Sequence, residues 1–272
     1  MIRVLDWFFA VTRLQLWPVR VRHGVAAGAR WTLYPWSSYW RGTQEPAMHR
    51  ALQGLGNMRG GSCWDLGAHF GIYSIGLARC VGPAGAVAAF EPNPVSFARL
   101  ERHRRMNGLD WMKTMEAAVS DRAGTADLLT YGELRSTTTH LAYEGESVSP
   151  VSQPLGVRTV VLDELVATGQ LQLPDLIKVD VEGHAHRALA GARQALAAKR
   201  PVLIVAFHSE AELQGVLTLL APLDYEHSVI GTDSGSTHAA IGHDLLFKPR
   251  LRPHKSHPAA SASKSRNSTR PS

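Results

Sequence analysis

The stretch Cys63-Trp64-Asp65-Leu66-Gly67-Ala68-His69-Phe70-Gly71 reads as the end of a strand, a tight turn and the start of a helix. Gly67 permits the turn, and Gly71 opens the helix where a side chain would obstruct packing. Twenty residues after Gly71, Glu91 closes the next apolar run in Phe90-Glu91-Pro92-Asn93-Pro94. A carboxylate at that point accepts the hydroxyls of a ribose, so the unit predicts a nucleoside-containing cofactor. A dinucleotide site expects Gly-x-Gly-x-x-Gly, whose middle glycine lets the backbone approach a pyrophosphate. Here His69 stands between Gly67 and Gly71, and the charge of Asp65 opposes a diphosphate. A ligand with an amino-acid moiety and a sulfonium cation fits better, with Asp65 helping to hold the ammonium group directly or through water. The pattern points to S-adenosylmethionine and away from a dehydrogenase.

Working outward, strand-like apolar runs appear at Cys63–Leu66, Ala86–Phe90, Met115–Val119, Asp175–Val179, Val202–Phe207 and Leu245–Phe247. Helical stretches at Ile72–Cys80, Pro94–Met106, His184–Ala198 and Glu210–Leu220 separate several of them. Alternating β and α units predict an open, mostly parallel sheet covered on both faces, with ligands beyond the carboxyl ends of the strands. The interval from Tyr131 to Leu155 lacks periodicity and reads as an irregular lid or binding loop.

The chain has 272 residues, 44% hydrophobic and 19% charged, an ordinary globular composition that excludes a disordered or collagenous protein. Two cysteines, Cys63 and Cys80, make neither a disulfide framework nor, by themselves, a zinc site. The net charge of +6 suggests nucleic acid until it is located. From Pro249 onward stand Arg250, Arg252, Lys255, Lys264, Arg266 and Arg270 with no acid. Without these six, Lys and Arg equal in number the 23 Asp and Glu. The basicity belongs to the stretch from Arg250 onward, chiefly residues 252–272, a Ser/Pro/Ala-rich tail read as disordered, and no nucleic-acid partner is expected.

Residues 1–44 hold five of the seven tryptophans (Trp7, Trp17, Trp31, Trp36 and Trp40) and form a helix-bearing arm, with an apolar helix over Leu5–Trp17. The arm is expected to pack on the main domain. Its sharper use is an interfacial anchor with Arg20 and Arg22 against anionic lipid. No small-residue cleavage site follows the first apolar run, which weighs against a secretory signal, and a cytoplasmic protein is expected.

Four segments occur in order: Asp65–Gly71, Phe90–Pro94, Ala117-Ala118-Val119-Ser120-Asp121 and Ile177-Lys178-Val179-Asp180-Val181-Glu182-Gly183. Together they resemble the FkbM-type family of S-adenosylmethionine-dependent methyltransferases, over roughly residues 45–248 of a domain expected to span 45–251 and including the closing Asp244-Leu245-Leu246-Phe247. The resemblance implies a class I methyltransferase fold, Rossmann-like, with seven mostly parallel strands and an antiparallel last strand. It also implies, most often in bacteria, O-methylation of a sugar, glycan or secondary metabolite. By position, Asp65, Gly67 and Gly71 would cradle the methionine part with His69 on the same loop. Glu91 would bind the ribose, Asn93 would close the adenine side, and Ala118 would lie against the adenine. Asp180 would face the methionine end and the methyl group.

Removal of a hydroxyl proton needs a base. Asp180, Glu182, His184, His186 and His208 cluster beyond the fourth and fifth strands, and Asp180, His208 and Glu182 are the expected catalytic set. No metal is expected, although Asp180, His184 and His208 carry ligand types that suit several divalent ions. Lys178 and Glu182 are read either as a structural ion pair or as site residues. His208 is read either as a rim base or as the neighbour of a Ser209 helix cap. The chain departs from the family pattern at Ala185 and Ala206, where carboxylates are usual, and at His103, where Asn is common. A cofactor-binding homologue without catalysis and, behind it, a nucleic-acid methyltransferase are the alternatives.

Overall fold

The computed structural model describes residues 17–33, 39–131, 139–141, 152–231 and 244–250. The expected helix over Leu5–Trp17 lies almost wholly outside them, and the basic tail lies outside them entirely. The main sheet comprises β3 (Ser62–Leu66), β4 (Ala86–Phe90), β5 (Met112–Met115), β10 (Leu176–Val179), β11 (Val202–Ala206), β12 (Tyr225–Val229) and β13 (Asp244–Pro249). Their spatial order is β12-β13-β11-β10-β3-β4-β5. β3, β4, β5, β10 and β11 pair parallel, while β13 runs antiparallel to both its neighbours. Strand order reverses between β3 and β10, the place where a crevice opens above an open α/β sheet.

Side-chain alternation divides the core between the two faces of this sheet. Trp64, Leu66, Phe90, Ile177, Val179 and Val205 pack on one face, under α4 (Leu162–Ala167), α5 (Ala185–Ala190), α6 (Arg193–Lys199) and α7 (Glu210–Leu220). Cys63, Val87, Ala89, Leu176 and Ile204 pack on the other, under α1 (Pro46–Gln53), α2 (Ile72–Val81) and α3 (Pro94–Met106). β4, α3 and α7 have the bounds expected from the sequence, or nearly so. The expected helix over His184–Ala198 is instead α5 and α6, broken at Gly191. A Cβ there would lie 2.2 Å from the Ser120 carbonyl oxygen, so the chain bends where two backbones touch. The expected strand Met115–Val119 also divides, β5 ending before β6 (Ala118–Val119) joins a different sheet.

That second sheet is the main correction at the level of elements. It has the order β6-β9-β7-β8, with β7 (Gly124–Tyr131), β8 (Thr139–Leu141) and β9 (Ser152–Val160). β7 and β9 pair antiparallel from Gly124↔Thr159 to Tyr131↔Ser152, so parts of the interval expected to be irregular are strand. The sheet's small core is Ala118, Leu128 and Val157, too few apolar positions for the period to show in the sequence.

The described part of the arm is built into the domain. β1 (Pro18–Arg20) and β2 (Arg30–Thr32) form an antiparallel pair, and Val21, Ala26, Ala29 and Trp31 are buried. The Trp31 ring stacks on His103 of α3 at 3.6 Å. His103 Nδ1 lies 2.8 Å from the Phe70 carbonyl, while Nε2 accepts from the Thr32 N–H at 3.2 Å and meets the Thr32 hydroxyl at 2.6 Å. This arrangement needs a neutral ring with the proton on Nδ1, and burial pushes the His103 pKa down to about 4. The imidazole at this departure from the family pattern thus ties the arm to the first glycine turn. Arg20 donates to the Gly28 carbonyl at 2.7 Å and Arg22 stacks over Trp40 at 4.8 Å, so both have contacts within the domain.

Candidate active site

A cavity of about 630 Å³ opens at the carboxyl ends of β3, β4, β10 and β11, within the size range of small-molecule sites. Gly67, His69, Glu91, Ala118, Asp180, Glu182 and His208 all line it, although they come from five separate segments. Asp65, Gly71 and Asn93 do not stand on its wall.

Gly67 has φ +81, and a Cβ there would lie 1.8 Å from the Asp180 carbonyl oxygen. The turn after β3 and the turn after β10 therefore touch, which only glycine allows. The Gly67 and Ala68 N–H groups both donate to the Phe90 carbonyl, at 3.0 and 2.8 Å. Gly71 serves packing, since a Cβ there would lie 2.4 Å from Leu100 of α3.

Glu91 accepts the His69 N–H at 2.7 Å and the Asn93 N–H at 2.9 Å. Burial pushes its carboxyl up to about 7, against the pull of those two hydrogen bonds. Asn93 was expected to close the adenine side. Instead it caps α3, its Oδ1 accepting the Val95 and Ser96 N–H groups at 2.9 and 3.2 Å, a common use of Asn at a helix start.

Asp65 is also corrected. Its side chain is fully buried beneath the cavity, where Ser74 donates to Oδ2 at 2.5 Å and Lys178 Nζ lies 3.8 Å from Oδ1. Asp65 and Lys178 are register partners across β3 and β10, so the pair follows directly from strand alignment. Lys178 is 2% exposed and also reaches Asp180 Oδ2 at 3.3 Å. Burial alone would lower its pKa, but Asp180 and Asp65 outweigh that and hold it raised and charged. The structural pairing considered for Lys178 with Glu182 is replaced by one with Asp65 and Asp180.

His69 has a left-handed backbone, φ +50. Its Nδ1 meets the Tyr39 hydroxyl at 3.1 Å, and burial pushes its pKa down to about 4. The buried Nε2 of the same ring has no hydrogen-bond partner among the described residues. Sequence reasoning missed the surrounding groups. Tyr39 lies in a short 3₁₀ turn of the arm, Glu45 precedes α1, and Tyr73 of α2 donates to Glu45. None belongs to a local motif.

At the other end, His208 Nε2 lies 3.2 Å from Glu182 Oε2 and 4.0 Å from Asp180 Oδ1. Glu182 sits at φ +47, costly for a residue with a Cβ. Ligand atoms of Asp180, Glu182 and His208 lie within 4.8 Å of one another, close enough to share one divalent ion. His208 has a raised pKa, chiefly from the Glu212 carboxylate 3.7 Å from its Nδ1 and then from the charges of Glu182 and Asp180, burial opposing. His184 is buried against Ser120, with Nε2 to Oγ at 3.0 Å, and burial pushes it down to about 4. His186 lines a smaller adjoining cleft and not the main cavity. Ser209 caps α7 by accepting the Glu212 N–H at 3.2 Å, as the sequence suggested.

The strand order and the single antiparallel strand define the class: the fold is that of the class I methyltransferases. More particularly, the family described as the methyltransferase FkbM domain matches residues 65–228, and the chain belongs to that family. Among curated relatives, the hexuronic acid methyltransferase AglP of Haloferax volcanii is 32% identical over 58% of this chain and 60% of its own. The 2-O-methyltransferase NoeI of Sinorhizobium fredii is 32% identical over 52% and 61%. The 31-O-demethyl-FK506 methyltransferase FkbM of Streptomyces tacrolimicus is 28% identical over 48% and 59%. The chain thus spans about three fifths of the length of the curated relatives it matches. A solved structure of methyltransferase FkbM from Methylobacillus flagellatus superposes with a TM-score of 0.49 at 19% identity, covering 71% of this chain and 45% of that one. Among the described residues no helix is long and apolar enough to cross a membrane.

Proposed function

We propose that the protein is an S-adenosylmethionine-dependent O-methyltransferase acting on a hydroxyl of a sugar, glycan or related secondary metabolite. The observation that carries this reading is the placement of Glu91 and the Asp180–Glu182–His208 group on the wall of one cavity. The cavity chemistry suits the cofactor. A buried carboxylate at the end of β4 can take ribose hydroxyls, and Ala118 leaves room for a flat ring. The unpartnered Nε2 of His69, when it carries the ring proton, offers a donor to a carboxylate. Asp180 and Glu182 suit a cationic centre, and among the described residues lining the cavity Lys178, already paired with Asp65 and Asp180, is the one lysine or arginine. Relatives named for a hexuronic acid, a 2-O position and 31-O-demethyl-FK506 support a hydroxyl acceptor on a small molecule or sugar.

S-adenosylmethionine, when bound, supplies an electrophilic methyl group on a sulfonium. The chain's residues then have two tasks. Glu91, Gly67, His69 and Ala118 fix the cofactor, and the cavity walls exclude water and orient the acceptor, which can be worth several kcal/mol. His208 Nε2 takes the acceptor hydroxyl's proton, and Glu182 and Asp180 stabilise the resulting imidazolium. Such a base contributes about 10²–10⁴-fold.

Calorimetric titration with S-adenosylhomocysteine, followed by product detection on a panel of neutral and uronic methyl glycosides, tests the reading. Binding together with methylation of at least one glycoside is expected. Absence of binding would overturn the cofactor assignment, and binding without turnover on any acceptor would favour a cofactor-binding homologue.

A further inference from the structure

Glu212 is a buried carboxylate with no role in the mechanism above. It lies in the first turn of α7, is 1% exposed, and makes three contacts that converge on the catalytic rim. Oε1 accepts the Ala185 N–H at 2.7 Å, Oε2 accepts the His208 N–H at 2.9 Å, and Oε2 lies 3.7 Å from His208 Nδ1. Ala185 and Ala206 are the two places where the resemblance expects acids, and the Glu212 carboxylate now rests on the backbone of one of them.

A helix cap alone does not account for this placement. In a capping box, the acid three residues after the cap returns to the cap's own N–H. Here Ser209 performs its half, but Glu212 bonds to the N–H of His208, one residue earlier, and to a turn 27 residues away in sequence. Burying a carboxylate is expensive unless its acceptor sites are filled. Burial pushes Glu212 up, but the His208 ring and the two N–H donors outweigh it and hold the carboxyl ionised, below its ordinary range.

We propose that Glu212 is a positioning residue: from behind, it holds the His208 imidazole with Nδ1 toward the protein, and so presents Nε2 to the cavity as the base. This rests on the methyltransferase reading for its use but not for its geometry. When the acceptor O–H breaks, the proton goes to Nε2. The imidazolium then lies between Glu212 on the Nδ1 side and Glu182 and Asp180 on the Nε2 side. Asp244, at the start of β13, also lines the cavity and interacts with the charge of His208. The acids facing this ring are therefore Glu182 and Asp180 beyond β10, Glu212 on α7 and Asp244 on β13.

The test is a titration of the His208 ring by ¹⁵N–¹H long-range NMR in the full chain, with His208→Gln identifying the signals. In the wild type, the ring is expected to titrate above the ordinary ~6.5, with the neutral form protonated on Nδ1. Glu212→Gln should lower the midpoint by about one unit, a tenfold change in the proton affinity. It should also mix the tautomers, while Glu212→Asp restores part of the shift and S-adenosylhomocysteine affinity stays within about twofold. A midpoint and tautomer unchanged in Glu212→Gln overturn the proposal. If that variant does not fold, the wild-type titration decides: a midpoint at or below ~6.5, or a proton on Nε2, overturns it. Selective broadening of the Nε2 signal by stoichiometric Mn²⁺ also overturns it, since that nitrogen would then be a metal ligand. Failure of S-adenosylhomocysteine to bind the wild type counts against the methyltransferase reading alone, because the ring titration does not depend on it.

Discussion

In the function proposed above, Glu91 concentrates the cofactor chemistry in one side chain. Its carboxylate is almost wholly buried, carries two backbone hydrogen bonds and has its pKa pushed up to about 7 by burial. Hydroxyl donors favour the ionised form, so a ligand that bonds through a ribose must compete with a proton. S-adenosylhomocysteine affinity is accordingly expected to fall as the pH drops below 7, and calorimetry at pH 6, 7 and 8 checks it. Glu91→Ala should weaken binding at least tenfold, since hydrogen bonds to a charged group are worth about 1.5–3 kcal/mol each. Glu91→Gln should remove the pH dependence. An affinity that is flat with pH in the wild type counts against ribose recognition at this residue. The acid was legible because strand, turn and helix are local and its spacing from the glycine turn reflects one β-α-β unit. The capping role of Asn93 was not recognised, although Asn before a helical run carries that signal.

Between elements, the consequential contact is the one joining β3 to β10. Lys178 sits opposite Asp65 in register and reaches Asp180 beyond the strand end, so one ammonium serves two carboxylates. Replacing the lysine by an apolar residue of similar length leaves Asp65 buried without its cation. Lys178→Met is therefore expected to destabilise the fold by about 3–5 kcal/mol, read as a lower urea midpoint at unchanged slope. Asp65→Asn in the same background should recover part of that loss by removing the stranded charge, and no recovery would show that the two residues do not depend on each other. The elements themselves were largely legible, because β4 is a short apolar run, α3 opens on Pro94 and α7 follows the Ser209 cap. The second sheet was not. Its strands are drawn from a polar stretch, so pairing partners rather than composition make them strands.

Over the whole molecule, the arm is joined to the glycine turn through His103. The neutral imidazole bonds Phe70 and Thr32 and stacks on Trp31, and its pKa falls from an ordinary ~6.5 to about 4. The unfolded chain therefore binds the extra proton first, and stability from this group is fully present above ~6.5 and lost as the pH falls toward 4. His103→Asn should lower the urea midpoint at pH 7.5. The difference from wild type should narrow as the pH drops through that window, and a constant difference would mean the ring does not titrate there.

The sequence by itself determined the mostly parallel α/β sheet, the glycine turn at residues 67–71, the acid that ends the strand after it and the family, because each rests on local periodicity or on short motifs in fixed order. Only the tertiary structure decided that Asp65 turns to Lys178 and away from the cavity, that Tyr39, Glu45 and Tyr73 reach its walls, and that Glu212 stands behind His208. The physical reason is that these contacts depend on strand register and helix packing. Both bring together residues far apart in the chain, and burial rather than residue type sets which of their charges must be paired.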